Sequence, residues 1–279
     1  MKPAYSSNAF TRTDLESALN AIADLGFSGA EILCDRPHWF PGEVTDGQAD
    51  QIAALLEKRG LSVSNLNANT ANGFYRPAPP ENTFEPALSN CDRGLRQWRQ
   101  NYTIEAIRLA RHIGARSVSV TSGHPVPGTS PQRSLDYFVE SLKYVCDEAS
   151  RYDVKVGIEY EPGLLVERAV EVAEVLESVD SEQLGVNLDI GHSWLDGEVP
   201  EHAVSLLAGR IWNVHVEDIS NRKHFHLVPG DGDLPFDRYF NALRASGYTG
   251  FLTVELYSYP ENPVEAGQRS LDYLTRLLG

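Results

Sequence analysis

Short runs rich in β-branched residues alternate with longer segments whose apolar positions recur at helical spacing, from one end of the chain to the other. That rhythm predicts βα units around a parallel sheet. The strand-like runs are Pro3–Asn8, Gly29–Leu33, Leu61–Asn67, Arg116–Thr121, Val154–Tyr160, Leu184–Asp189, Ile211–Val216 and Gly250–Leu256. The helical patterns are Thr13–Leu25, Asp46–Arg59, Arg99–Ile113, Ser130–Tyr152, Glu167–Val179, Glu201–Leu207, Phe236–Ala245 and Glu265–Leu278. Thr13 and Glu16 stand at capping-box spacing before the first of them. Glycines in LGFSGAEIL, KRGLSVSNL, HIGARSVSV and SGYTGFLTVEL sit where a left-handed residue turns a helix end back toward a strand. Eight of each in strict alternation favour a (β/α)8 TIM barrel, a single domain over 1–279, above a doubly wound open sheet. Alternation alone does not prove closure.

Two stretches break the rhythm. Asn69–Arg99 follows the third strand, is rich in Pro, Asn and aromatic residues, and is too long for a plain connection. In a barrel it is a candidate lid or subunit contact on the catalytic face, or an ordered surface loop. Glu217–Leu234, which contains EDISNRKHFHLVPGDGDL, follows the seventh strand.

Composition narrows the function. A formal net charge of −15 repels phosphate backbones and anionic lipid, which disfavours nucleic acid and membrane partners. Cys34, Cys91 and Cys146 are widely spaced and include no CxxC pair, against a disulfide framework or a cysteine zinc site. The N-terminus has no apolar signal region, and no run approaches the roughly 18 apolar residues of a spanning helix. The expectation is a soluble, cytoplasmic protein.

A parallel barrel strand is buried on both faces, so a charged residue near its C-terminal end is costly unless it points into the site at the barrel top. GIEYEPG, GVNLDIGH, IWNVHVED and FLTVELYS place Glu159, Asp189, His215 and Glu255 there. Their spacings of 30, 26 and 40 residues are each consistent with one βα step. Any one alone reads as a core-edge acid or a hydrogen-bonded histidine. Repeated at equivalent positions, three carboxylates and an imidazole would shift one another's titration strongly unless a cation sat between them. The donor set suits one divalent ion, Mn²⁺ first, with Mg²⁺, Co²⁺ or Zn²⁺ as alternatives. His192 follows Asp189 by three residues, and His224 and His226 accompany Arg222 in NRKHFHLVPGDGD. His124 follows the fourth strand, and Glu31 ends the second, where it supports the site, binds a substrate hydroxyl or forms a buried ion pair.

With these motifs in hand, the chain resembles the xylose isomerase-like sugar phosphate isomerase/epimerase superfamily, to which endonuclease IV also belongs. IEYEP, LDIGH, WNVHVED, HLVPGDGDLPF and GFLTVEL, in this order, carry the likeness together with LGFSGAEIL and the RQWRQNYTIEAIRLARHIGARSVSVTSG segment. The ketose 3-epimerase branch implies a metal held by Glu159, Asp189, His215 and Glu255, with the two glutamates as the proton-transferring pair. It also implies that His192 and an arginine after the seventh strand hold substrate oxygens; Arg222 meets that position with a one-residue shift. Glu161 competes with Glu159 for the fifth-strand role. The endonuclease IV branch has a trinuclear set onto which His124, Glu159, Asp189, His192, His215, His226 and Glu255 can be laid. Against it stand Asn67 and Asn69 in place of a third-strand histidine, and His224 in place of an aspartate. Relatives form dimers or tetramers, so a homo-oligomer is implied.

The resulting expectation is a metal-dependent isomerase or epimerase of a keto sugar, cyclitol-like polyol or sugar phosphate. It would work through a metal-stabilised cis-enediolate, with Glu159 and Glu255 as acid and base and with His192, Arg222, His226, His124 and Glu31 around the substrate. The alternatives are a metal-dependent hydrolase resembling endonuclease IV, a dehydratase, or a non-catalytic barrel.

Overall fold

The computed structural model describes residues 1–80 and 82–279. Its strands are β1 (Lys2–Ser6), β2 (Gly29–Leu33), β3 (Ser62–Asn67), β4 (Ser117–Val120), β5 (Lys155–Ile158), β6 (Leu184–Asp189), β7 (Ile211–Val216), β8 (Asp218–Ser220), β9 (Lys223–Leu227) and β10 (Phe251–Val254). All but β8 and β9 are parallel and close into a barrel, β1 pairing with both β2 and β10. The helices are α1 (Leu15–Leu25), α2 (Asp46–Arg59), α3 (Arg93–Ile113), α4 (Pro131–Tyr152), α5 (Ala169–Val179), α6 (Ile190–Leu195), α7 (Pro200–Leu206), α8 (Phe236–Ala245) and α9 (Pro263–Leu278). The architecture is the (β/α)8 barrel that the alternation predicts.

Helix faces bury their apolar stripes on the barrel. Ala106, Ile107 and Ala110 of α3 are fully buried, as are Phe138, Leu142 and Val145 of α4. Each large side chain so buried is worth about 1.5–3 kcal/mol. Gly26, Gly60 and Gly114 cap α1–α3 with positive φ, as their positions in the sequence predict. The first N-cap differs. Asp14, not Thr13, accepts the Ser17 amide at 2.7 Å, while Thr13 turns its hydroxyl back to the Phe10 carbonyl. The box at the next helix is complete, with Thr45 and Gln48 exchanging bonds.

Three departures matter for the site. Helix α3 starts at Arg93, capped by Asp92, so the long connection after β3 ends six residues earlier than the pattern predicts. A short helix, α6, follows β6 immediately and is capped by Asp189. The segment after β7 folds into the antiparallel hairpin β8–β9, whose turn residues Asn221 and Arg222 both have positive φ. Asp218 then ties down the following loop by accepting the amides of Gly230, Gly232 and Leu234.

Polar side chains fill part of the barrel interior. Asn213 donates to Asn187 at 2.8 Å, the Thr253 hydroxyl donates to Asn213 and can accept from Ser64, and Asn65 donates to Ser119. This satisfied network replaces the branched aliphatic layers usual in such barrels. A cavity of about 550 Å³ opens at the C-terminal ends of the strands, and a larger one of about 820 Å³ at the opposite end, lined by Lys2, Lys155 and Trp212. Barrel chemistry is built from the loops at the C-terminal face, so the smaller cavity is the candidate site.

Candidate metal and substrate site

The structure brings Glu159, Asp189, His215 and Glu255 together: one donor atom from each lies within 4.8 Å of all the others. Glu159 and Glu255 stand one residue past β5 and β10, yet their amides still bond to Val120 and Val216 on the neighbouring strands, so both side chains are held in barrel register. His215 is the hub. Its Nδ1 lies 3.0 Å from Glu159, 3.3 Å from Glu255 and 4.0 Å from Asp189. Its Nε2 faces Glu31 at 2.7 Å. Glu31 is fully buried, is held by Asn65 and Asn67, and so acts on the imidazole from behind.

Each carboxylate has its own supports. Glu255 Oε1 accepts from Asn8 and Asn67, both at 2.9 Å. Glu159 accepts from Asn187. Asp189 spends Oδ1 on the amides of Gly191 and His192, and its buried Oδ2 has no partner.

Electrostatics follow from this crowding. Burial pushes the Glu159 carboxyl up, against the pull of His215, and burial with Glu217 nearby raises Asp189 to about 7. Burial also opposes ionisation of Glu255, but the His215 charge prevails and holds it at about 2. For His215 burial disfavours the cation, while Glu159, Glu255 and Glu31 outweigh it and keep the ring protonated far above its usual range. A buried set of carboxylates sharing one imidazolium lacks positive charge. A divalent cation between Glu159, Asp189, His215 and Glu255 would supply that charge and give Asp189 Oδ2 a partner, so the donor set fits a hard or borderline ion.

A second cluster adjoins the first: donor atoms of His192, Glu217, His224 and His226 also lie within 4.8 Å of one another. Glu217 is fully buried and approaches His226 Nδ1 at 2.7 Å and His224 Nε2 at 3.5 Å. It fits only because residue 191 is glycine; a Cβ there would come 2.2 Å from Glu217 Oε1. His192 has Nδ1 3.1 Å from the Tyr160 carbonyl and Nε2 3.1 Å from His224 Nε2. Burial, then His224, lowers His192 to about 4, whereas Glu217 overcomes burial and raises His226 to about 10.

The cavity wall includes Glu159, Glu161, His192, His224, His226 and Glu255. Three residues singled out in the sequence stand elsewhere. Glu31 lies behind His215 and away from the wall. Arg222, at the hairpin tip, lays its guanidinium over Trp194 at 5.7 Å, because the tight turn directs it outward. His124 is exposed, packs on Phe84 and approaches the Gly163 carbonyl. The sequence reading missed Glu217, Asn8 and Asn187. Glu217 sits two residues past His215, the spacing that puts both on one side of an extended chain; that was its only local signal.

A family model described as xylose isomerase-like TIM barrel matches residues 19–277. The chain is 24% identical over 283 aligned residues to a fructoselysine 3-epimerase of Shigella flexneri, covering 100% of this chain and 98% of that protein. The D-psicose 3-epimerase of Clostridium cellulolyticum H10, solved with D-tagatose, superposes with a TM-score of 0.82 at 19% identity, covering 100% and 99% of the two chains. IOLI protein, solved with a zinc atom, gives a TM-score of 0.80 at 18% identity over 100% and 98%. Structural likeness at these identities speaks for the fold, and the family model spans nearly all of the sequence. The chain belongs to the xylose isomerase-like TIM barrel family.

Proposed function

We propose that this chain is a divalent-metal-dependent sugar epimerase or isomerase, with one ion held by Glu159, Asp189, His215 and Glu255. The observation that carries the reading is the convergence of those four buried side chains, two of which, Glu159 and Glu255, line the cavity. Its epimerase and isomerase relatives support the reaction class. They are named for both free and substituted sugars.

A bound ion supplies Lewis-acid stabilisation of the charge that builds on a carbonyl oxygen and its neighbouring hydroxyl oxygen as a proton leaves carbon. The chain's own residues move that proton. One of Glu159 and Glu255 removes it, and the other returns it to the opposite face in epimerisation or to the adjacent carbon in isomerisation. Their unlike surroundings suit the pair: Glu255 is held as the anion by Asn8, Asn67 and His215, while burial favours the neutral form of Glu159. His192 and His226, on the same wall, offer ring nitrogens to substrate hydroxyls. Mn²⁺ is the ion to try first, then Mg²⁺, Co²⁺ and Zn²⁺. A cytoplasmic homodimer or homotetramer is the setting proposed from the sequence resemblance.

The test is elemental analysis of the purified protein, joined to C–H exchange of ketoses and inosose-like polyols in D₂O. One ion per chain with metal-dependent exchange is expected. A chain that takes up no divalent metal on titration would refute the reading. A second reading, hydrolysis or dehydration, is favoured by one observation, the His192–Glu217–His224–His226 cluster beside the first. Two or more ions per chain with phosphoester cleavage, or a product lighter by one water, would select it.

A further inference from the structure

We infer that Thr253, Asn213 and Asn187 are positioning residues: a directed hydrogen-bond relay in the barrel interior that orients Glu159 for the ion. The inference rests on the metal-dependent reading above and extends it to residues outside the four-ligand set. The pattern is periodic. Residues two apart on a strand share a face, and each proposed ligand has a small or uncharged polar residue two positions before it: Gly157 before Glu159, Asn187 before Asp189, Asn213 before His215 and Thr253 before Glu255. The strands concerned, β5, β6, β7 and β10, are successive neighbours in the barrel. These four positions therefore form one interior layer next to the layer of ligands. Gly157 is part of the fit, because a Cβ there would come 2.9 Å from the backbone nitrogen of Asn187 and 3.3 Å from its Cβ.

Hydrogen-bond chemistry gives the layer one direction. As a metal ligand Glu159 is a carboxylate and only accepts. Asn187 therefore turns Nδ2 toward it, and the same nitrogen lies 3.1 Å from His215 Nδ1, so one amide reaches two of the four ligands. Asn187 Oδ1 is left facing Asn213, whose Nδ2 donates to it at 2.8 Å. Asn213 in turn presents Oδ1 to the Thr253 hydroxyl, 2.9 Å away, and the single proton of that hydroxyl is directed there. Ser64, with Oγ 3.0 Å from Thr253 Oγ1, completes the series as the donor to Thr253. Reversing the series would set the Asn187 oxygen against the Glu159 carboxylate, acceptor against acceptor. Asn187, Asn213 and Thr253 are all buried, so solvent does not replace a lost partner. Without the Thr253 hydroxyl the Asn213 oxygen loses its donor in the core, and the direction of both amides loses its anchor.

The experiment reads metal binding by the full chain and needs no substrate. Calorimetry gives the Mn²⁺ affinity, and the visible spectrum of the Co²⁺-loaded chain reports the geometry of the ligands. Thr253→Val keeps the shape and removes the hydroxyl; it is expected to weaken Mn²⁺ binding by roughly threefold or more and to shift the Co²⁺ bands. Thr253→Ser keeps the hydroxyl and is expected to stay within about twofold of the parent. Asn187→Leu is expected to weaken binding by about 10–100-fold, the usual effect of losing a partner behind a ligand. Because Thr253 acts through Asn187, Thr253→Val should add no further loss in the Asn187→Leu background. Parental affinity in Thr253→Val, equal losses in Thr253→Val and Thr253→Ser, or additive losses in the double variant would overturn the inference while leaving the metal reading in place. A parent chain that takes up no Mn²⁺ would overturn the metal reading itself, and the inference with it.

Discussion

His215 stands between two sets of acids. Glu31 takes its Nε2, so the lone pair or proton on Nδ1 is turned toward Glu159, Asp189 and Glu255. A carboxylate behind a ligating imidazole fixes ring orientation and raises its basicity, and losing such a partner weakens metal binding by roughly 10–100-fold. Glu31→Ala should therefore lower metal affinity within that range by calorimetry, and His215→Ala should lower it further. Wild-type affinity in the second variant would remove His215 from the ligand set. Replacing Glu159 or Glu255 with Gln should cut turnover by about 10²–10⁴-fold, the usual contribution of a positioned acid or base. Unchanged circular dichroism must accompany the loss, and near-normal turnover in either variant would refute the pair. The four strand-end residues were legible because an acid or histidine stands out at the C-terminal end of a buried parallel strand whose neighbouring positions there are uncharged. Asn8, Asn187 and Glu217 were not. Asparagine carries no charge signal, and Glu217 meets His192 and His226 only after the hairpin has folded back.

At the level of elements, the connection from β3 to α3 is tied down by buried side chains that include Asp35, which accepts the Asn72 and Gly73 amides, and Arg99. Arg99 donates to the Ala68, Asn69 and Pro86 carbonyls and lies over the Tyr102 ring. Arg99→Ala would remove the guanidinium from three carbonyls, of which Asn69 keeps the Thr121 hydroxyl, and each carbonyl left unpaired costs about 1–3 kcal/mol. Denaturant unfolding should show a loss of several kcal/mol, and the sugar KM should rise, because Asn69, Asn72 and Phe84 belong to the loop so anchored. An unchanged KM would detach the loop from substrate binding. The sequence marked this stretch by its Pro and Asn content but placed the helix start six residues late, because Arg93–Trp98 carries few apolar positions to reveal its period. The hairpin was hidden for a similar local reason. Its turn is Asn221–Arg222, and arginine at a positive φ is not a turn signal. After α6, Asp196 sits half-buried with Oδ2 unpartnered, and burial with the Glu167 charge raises it to about 6. A raised carboxyl pKa makes the fold hold its proton more tightly, so that contribution to stability is full below the ordinary aspartate value of 3.8 and is lost as pH rises through about 6. Asp196→Asn should raise the unfolding midpoint at pH 7.5 and leave it unchanged near pH 4; equal midpoints at both would show that Asp196 is not destabilised by its surroundings.

For the whole molecule, charge is the dominant constraint. A chain of formal charge −15 folds with Glu31, Glu159, Asp189, Glu217 and Glu255 buried around one barrel mouth. Protonated His215 and His226 offset part of that charge in the metal-free chain. A divalent ion bound only by the native state stabilises it by RT ln(1 + [M]/Kd), about 4 kcal/mol at a thousandfold excess over Kd. At this size each kcal/mol moves Tm by about 2–4 °C, so saturating Mn²⁺ should raise Tm by roughly 8–16 °C and EDTA should reverse it. The rise should vanish in an Asp189→Asn, His215→Ala double variant if the ion sits at the first cluster. If a rise of similar size persists there and is abolished by Glu217→Gln, the stabilising ion belongs to the second cluster. That outcome would move the chemistry toward hydrolysis or dehydration, because the proton-transfer pair would then lack the positive charge that makes removal of a carbon-bound proton feasible.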